Sequence, residues 1–273
     1  MSCDSPIGVF DSGVGGLTVV KEIMRQLPNE RIVYFGDTAR VPYGSKSKKT
    51  IITYTRQIVR FLRSKDVKAI VVACNTASAY ALEAVKEEAG LPMIGVVEPG
   101  ARAAAAATRN GRIGVIGTEG TIKSGIYNQF LSATNPHVTV FGKACPLFVP
   151  LVEEGWLQDP VTRIVAQRYI SDLTAKDIDT LVLGCTHYPL LRKLIRSIVG
   201  EGITLVNPAY ETAITLRKLL QEEGLSGERQ GATQDHTFFV SDGAEKFRQF
   251  ANSILPCEVV ETKDVNIESF EAD

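Results

Sequence analysis

The chain has 273 residues, 44% apolar and 22% charged, with 30 Lys and Arg against 31 Asp and Glu for a net charge of −1. That length and balance exclude long disorder and allow a core, in one large or two modest domains, that needs no metal or disulfide staple. With no basic face, no apolar run near the ~18 residues of a membrane span and no signal peptide, the expectation is a cytoplasmic protein whose main partner is a small molecule, neither nucleic acid nor membrane.

In chain order, short apolar runs rich in β-formers predict buried strands at 6–10, 31–36, 68–73, 92–97, 112–117, 180–184, 203–206 and 236–240. Amphipathic stretches between them predict helices at 17–27, 50–65, 76–90 and 161–176. The alanine-rich segment 101–111 predicts a packed helix, with Asn110-Gly111 as its stop. A further helix is expected after residue 206, then a strand, a helix and a strand, with a loop over 226–235. The acidic tail from Glu258, where Lys263 is the one base, reads as a solvated end. Continuous apolar strands separated by helices mean βαβ units and helix-covered parallel sheets.

Two segments recur. PIGVFDSG (6–13) is echoed by RIGVIGTEG (112–120), and VKAIVVACNT (67–76) by IDTLVLGCTH (178–187), in the same order and at nearly the same offset. The expected fold class is therefore α/β, with two pseudo-symmetric α/β lobes, largely parallel sheets and an active site in the cleft between them. The first lobe is expected over 1–97 and 207–273, the second over 98–206.

Both copies of the second repeat place a cysteine, Cys74 or Cys185, at the C-terminal end of an apolar strand and before a helix. Ligands of open α/β sheets sit beyond the strand C-termini, and a helix N-terminus there favours a thiolate. Five cysteines without CxxC spacing read as free thiols, with no metal site. Cys3, Cys145 and Cys257 are read as small buried hydrophobes. Two thiols facing across a cleft suit a two-base proton transfer that inverts a carbon centre, whereas a disulfide redox pair usually comes as CxxC. FDSGVGGLT (10–18) fails the GxGxxG dinucleotide fingerprint and is read as a nest of backbone N–H groups for a carboxylate or phosphate. Asp11 and Ser12 follow that first strand, and a loop carries Asp37, Pro42, Tyr43 and Gly44. Asn75 and Thr76 adjoin Cys74, while Thr186 and His187 adjoin Cys185, placed to cap a helix or grip a carboxylate. Trp156 is read as packing, and His137 and His236 receive no role.

Jointly, IGVFDSGVGGLTV (7–19), YFGDTARVPYG (34–44), ACNTASA (73–79), GVVEPG (95–100), VIGTEGTIKSGIY (115–127) and LVLGCTHYPLL (181–191) resemble the bacterial glutamate racemases of the aspartate/glutamate racemase family. The resemblance spans residues 7 to about 260. It implies a cofactor-independent interconversion of L- and D-glutamate, supplying D-glutamate for peptidoglycan, in a homodimer. It further implies that Cys74 serves the D-enantiomer and Cys185 the L-enantiomer, that Asp11 and His187 assist them, and that Asp37 and Glu153 are further acids of the cleft. Asp11, Ser12, Pro42, Tyr43, Gly44, Asn75, Thr76, Thr186 and His187 would bind substrate, with Thr118 and Thr121 contributing from the second lobe. His187 stands where aspartate racemases tend to carry an acid, which favours the glutamate branch. Asn207-Pro208 departs from the acid expected there, and no N-terminal extension linked to control by a cell-wall precursor is expected.

Overall fold

The computed structural model describes residues 2–227 and 235–270. The chain opens with β1 (Ile7–Asp11), α1 (Leu17–Gln26), β2 (Ile32–Gly36), α2 (Lys48–Arg63), β3 (Ala69–Val72), α3 (Asn75–Tyr80), α4 (Leu82–Ala89) and β4 (Met93–Gly95). It continues through α5 (Val97–Ala107), β5 (Arg112–Gly117), α6 (Glu119–Lys123), α7 (Ile126–Thr134), β6 (Thr139–Ala144), α8 (Phe148–Glu153) and α9 (Pro160–Thr174). It ends with β7 (Thr180–Gly184), α10 (Arg192–Val199), β8 (Thr204–Val206), α11 (Pro208–Glu222), β9 (Thr237–Val240), α12 (Ala244–Ile254) and β10 (Thr262–Asp264).

The strands form two sheets, ordered β10-β9-β2-β1-β3-β4 and β6-β5-β7-β8, and every pairing is parallel. The run β2-β1-β3-β4 and the whole second sheet share one connectivity, with β1 matching β5 and β3 matching β7. The fold is thus α/β with helix-covered parallel sheets. Strands β1, β2 and β7 are buried at every position, because helices cover both faces and leave no solvent side to alternate toward. Alternate residues still serve different cores. Ile7 and Val9 join α1, α11 and α12 on one face of the first sheet, while Phe10 and Phe35 meet α2 on the other. In the second sheet Leu181 and Leu183 face α9 and α10, and Val182 faces α5 and α7.

Several elements depart from expectation, each for a local reason. The helix expected over 76–90 breaks at Ala81 (φ −119°), which turns Val85 and Ala89 of α4 into the core. The alanine-rich helix begins earlier, at Val97, and stops at Ala107. Its stop is set by the Asp179 carboxylate, which accepts bonds from Thr108 Oγ1 (2.6 Å), Arg109 N (2.6 Å) and Asn110 N (2.7 Å) before Asn110-Gly111 is reached. Strand β6 was not anticipated; it is an edge strand with no fully buried residue, so it lacks a continuous apolar run. The acidic tail is not simply solvated. β10 pairs with β9, Ile267 is 3% exposed, and Phe270 packs edge-on against Phe61 with ring centroids 5.4 Å apart. Trp156, expected to pack, is 46% exposed. Cys145 is buried as anticipated, but Cys3 and Cys257 are only half-buried. The predicted loop over 226–235 lies mostly outside the described residues. Asn207 caps α11 by accepting from Ala209 N at 3.1 Å, the work an acid there would do. No helix among the described residues is long and apolar enough to cross a membrane.

Candidate active site

Strand order reverses between β1 and β3 in the first sheet and between β5 and β7 in the second. Those are the switch points beyond which parallel sheets hold ligands. Asp11 and Ser12 stand at the first with Cys74; Thr118 stands at the second with Cys185. Side-chain hydrogen bonds join the two crevices. Thr76 Oγ1 lies 2.8 Å from Thr118 Oγ1, and Tyr127 Oη donates to Asn75 Oδ1 at 2.8 Å. Thr186 Oγ1 donates to Asp11 Oδ1 at 3.3 Å, and Thr18 Oγ1 to the Thr186 carbonyl at 2.9 Å. Two glycines permit the approach. A Cβ on Gly15 would stand 2.3 Å from Thr186 Oγ1 and 2.4 Å from His187 Nδ1, and one on Gly44 would stand 2.7 Å from Thr118 Cβ.

The thiols have different surroundings. Cys74 (5% exposed) caps α3, its sulfur accepting from Ala77 N at 3.5 Å and donating to Ser12 Oγ at 3.8 Å. Burial, then the charge of Asp11, pushes its thiol up to about 12 against the Ala77 and Ser12 bonds. This corrects the expectation that the helix start populates a thiolate: desolvation wins over the end of a six-residue helix. Asp11 is also raised by burial, against the pull of His187, the Gly16 and Gly13 backbone and Thr186. The anticipated anion nest is therefore occupied by the protein's own carboxylate, with Gly13 N donating to Asp11 Oδ2 at 3.1 Å.

Cys185 (6% exposed) has Sγ 3.9 Å from His187 Nδ1, and His187 Nε2 lies 3.0 Å from Glu153 Oε1. Burial disfavours the imidazolium, but hydrogen bonds to Cys185 and Glu153, with the charges of Cys185 and Asp11, raise His187 to about 10. Burial likewise opposes the Glu153 carboxylate, yet His187 and the more distant Lys246 leave it lowered. A Glu–His–thiol chain thus runs from the half-buried end of α8 to the second sulfur. Thr118, which caps α6, and Thr121 complete a cluster of hydroxyls with Thr76, the Thr118–Thr121 pair being 3.0 Å apart.

Other expected residues lie a layer away. Asp37 is fully buried and engaged by Arg40 (2.8 Å), Ser241 (2.9 Å) and the Tyr43 hydroxyl, so it braces the loop of Tyr43 rather than facing the cleft. Pro42 and Gly44 line a pocket of about 380 Å³ with Val41, Thr118, Val149 and Glu153; it forms the mouth of the cleft and its lining includes neither thiol. Sequence reasoning missed Tyr127, Tyr34, which holds the Gly13 carbonyl at 2.7 Å, and Ser241. Tyr127 lay inside a quoted motif, but only the fold brings it to Asn75. Among the described residues no group of three or more His, Cys, Asp or Glu is arranged to hold a metal ion.

Comparison with known proteins gives a consistent result. The sequence profile of the family described as Asp/Glu/Hydantoin racemase matches residues 7–214. A glutamate racemase from Geobacter metallireducens is 50% identical over 266 residues, covering 96% of this chain and 97% of that protein. The crystal structure of glutamate racemase isoform RacE1 from Bacillus anthracis superposes with a TM-score of 0.92 at 42% identity, covering 96% of this chain and 97% of that one. The Francisella tularensis glutamate racemase in complex with D-glutamate gives a TM-score of 0.91 at 40% identity, over 98% of this chain and 99% of that one.

Proposed function

We propose that this chain, which belongs to the Asp/Glu/hydantoin racemase family, interconverts L- and D-glutamate without a cofactor by a two-base transfer, one cysteine thiolate removing the α-proton while the opposite cysteine thiol delivers its own proton to the other face. The observation that carries the reading is one thiol at the switch point of each sheet, with the two crevices tied together by side-chain hydrogen bonds. Cys185 takes the proton of the L-enantiomer while the Cys74 thiol delivers to the opposite face, and in the reverse direction Cys74 takes the proton of the D-enantiomer while Cys185 delivers. Glutamate as ligand is supported by the named activity of the 50% identical relative and by the D-glutamate complex of the Francisella one.

Magnitudes make the scheme workable. Raising Cys74 from 9.0 to about 12 costs its thiolate about 4 kcal/mol. A unit positive charge ~4 Å away in a site of effective dielectric ~20 returns about 4 kcal/mol. The substrate's own α-ammonium is of the size needed to restore the base, so deprotonation is tied to binding. Asp11 receives that ammonium. Asn75, Thr76, Thr118, Thr121, Thr186 and Ser12 hold the carboxylates, while Tyr43 and Gly44 close over them. His187, backed by Glu153, supplies protons on the Cys185 side. Exclusion of water and fixed dipoles lower the barrier to a weakly acidic C–H.

The wider setting follows from the same reading: D-glutamate for peptidoglycan, a cytoplasmic homodimer, and lobes of 1–97 with 207–273 and of 98–206. Incubation with L-glutamate or L-aspartate, followed by chiral chromatography, tests it. Glutamate alone is expected to become racemic; equal conversion of aspartate, or none of glutamate, overturns the reading.

A further inference from the structure

Asn75, the residue after Cys74, is 4% exposed, and its Oδ1 accepts a hydrogen bond from Tyr127 Oη at 2.8 Å. The partners belong to different halves. Asn75 opens α3 beyond β3, whereas Tyr127 sits on α7 in the core shared with α5 and the second sheet. Tyr127 is itself buried, and a Cβ on Gly184 would stand 3.1 Å from its Cε2, so the ring lies over the residue that precedes Cys185. One side chain therefore reaches the immediate neighbours of both thiols.

An asparagine amide is nearly symmetric in shape, and flipping it exchanges two donors for one acceptor. Among the described residues Tyr127 Oη has no acceptor other than Asn75 Oδ1, and Asn75 Nδ2 has no acceptor at all. Flipping the amide would strand the buried phenolic proton. The flipped carbonyl would also face whatever anion lies beside Cys74.

We infer that Tyr127 is a positioning residue: its hydroxyl locks the Asn75 amide with Nδ2 available to a ligand carboxylate, and it does so only when the two halves are together. The carboxylate's identity rests on the proposed function; the lock itself does not. Both thiols are flanked by the lock, so it serves both enantiomers.

Tyr127→Phe keeps the ring over Gly184 and removes only the hydroxyl. In protein labelled with 15N-asparagine, the Asn75 amide pair is identified by its loss in Asn75→Ala. That pair is expected to be sharp in the wild type and to shift and broaden in Tyr127→Phe. In turnover, KM for both enantiomers is expected to rise roughly fivefold, the worth of one neutral hydrogen bond, with kcat changed less. Adding Tyr127→Phe to Asn75→Ala should change nothing further. An unmoved amide pair, or effects that add in full, overturns the inference. If the amide pair moves but the wild-type protein does not turn over glutamate, the proposed function falls and the lock stands.

Discussion

Desolvation works against both the Cys74 thiolate and the His187 imidazolium, and only at His187 do the neighbours overcome it. Burial, with Asp11 beside it, pushes the Cys74 thiol up to about 12, whereas hydrogen bonds to Cys185 and Glu153 outweigh burial at His187 and raise it to about 10. Because its folded pKa lies above the free value of 6.5, His187 stabilises the protein fully below that pH and loses the contribution as pH rises through about 10. Glu153→Gln should lower the His187 midpoint by roughly one to two pH units, the worth of a charge-assisted hydrogen bond, read by NMR titration of the imidazole. The loss of thermal stability against wild type should be largest near about pH 6 and vanish at high pH. An unchanged midpoint would remove Glu153 from the chain. At this scale the sequence was partly legible: cysteines after two like strands were visible, but the side chains they meet were not. Ser241 reaches Asp37 from the far end of the chain, and Gly13 N turns onto Asp11 instead of an outside anion.

The β1–α1 turn shows how an element sets the geometry of a site it only touches. Gly15 packs against Thr186 and His187 with no room for a methyl group. Gly15→Ala should displace the Cys185 loop and cut kcat about a hundredfold, as a 1 Å misplacement can, while circular dichroism stays native. Activity close to wild type would mean that this contact does not hold the loop. The C-terminal segment is the opposite case, an element whose importance the charges concealed. Six acids after residue 257 read as solvated, yet Ile267 lies in the core beside α2 and Phe270 on Phe61. Ile267→Ala should therefore cost roughly 2–5 kcal/mol in denaturant unfolding, and a value near zero would return the tail to solvent. Buried strands were readable because two covered faces demand unbroken apolar runs; β6, at an edge, had no such demand. The helix stop at Ala107 escaped because the residue that sets it, Asp179, is supplied by a distant segment.

At the scale of the whole molecule, the repeated strand-and-cysteine pattern is the feature that sequence conveyed best. It survives as one connectivity used twice, with β1 and β3 answering to β5 and β7. What sequence did not convey is how the halves meet, since each cross-connection pairs residues remote in the chain: Thr76 with Thr118, Asn75 with Tyr127, Asp11 with Thr186. The proposed pairing of two thiols has a consequence that ordinary loss of activity does not test. Each sulfur should serve one enantiomer and leave the other untouched. The direct measurement is α-deuterium incorporation from deuterated water into L- and D-glutamate by the wild type, Cys74→Ala and Cys185→Ala. The wild type should label both enantiomers and neither variant should racemise, while Cys74→Ala exchanges only the L-enantiomer and Cys185→Ala only the D-enantiomer. Racemisation surviving the loss of either cysteine, or exchange that ignores which one is gone, would contradict the two-thiol account.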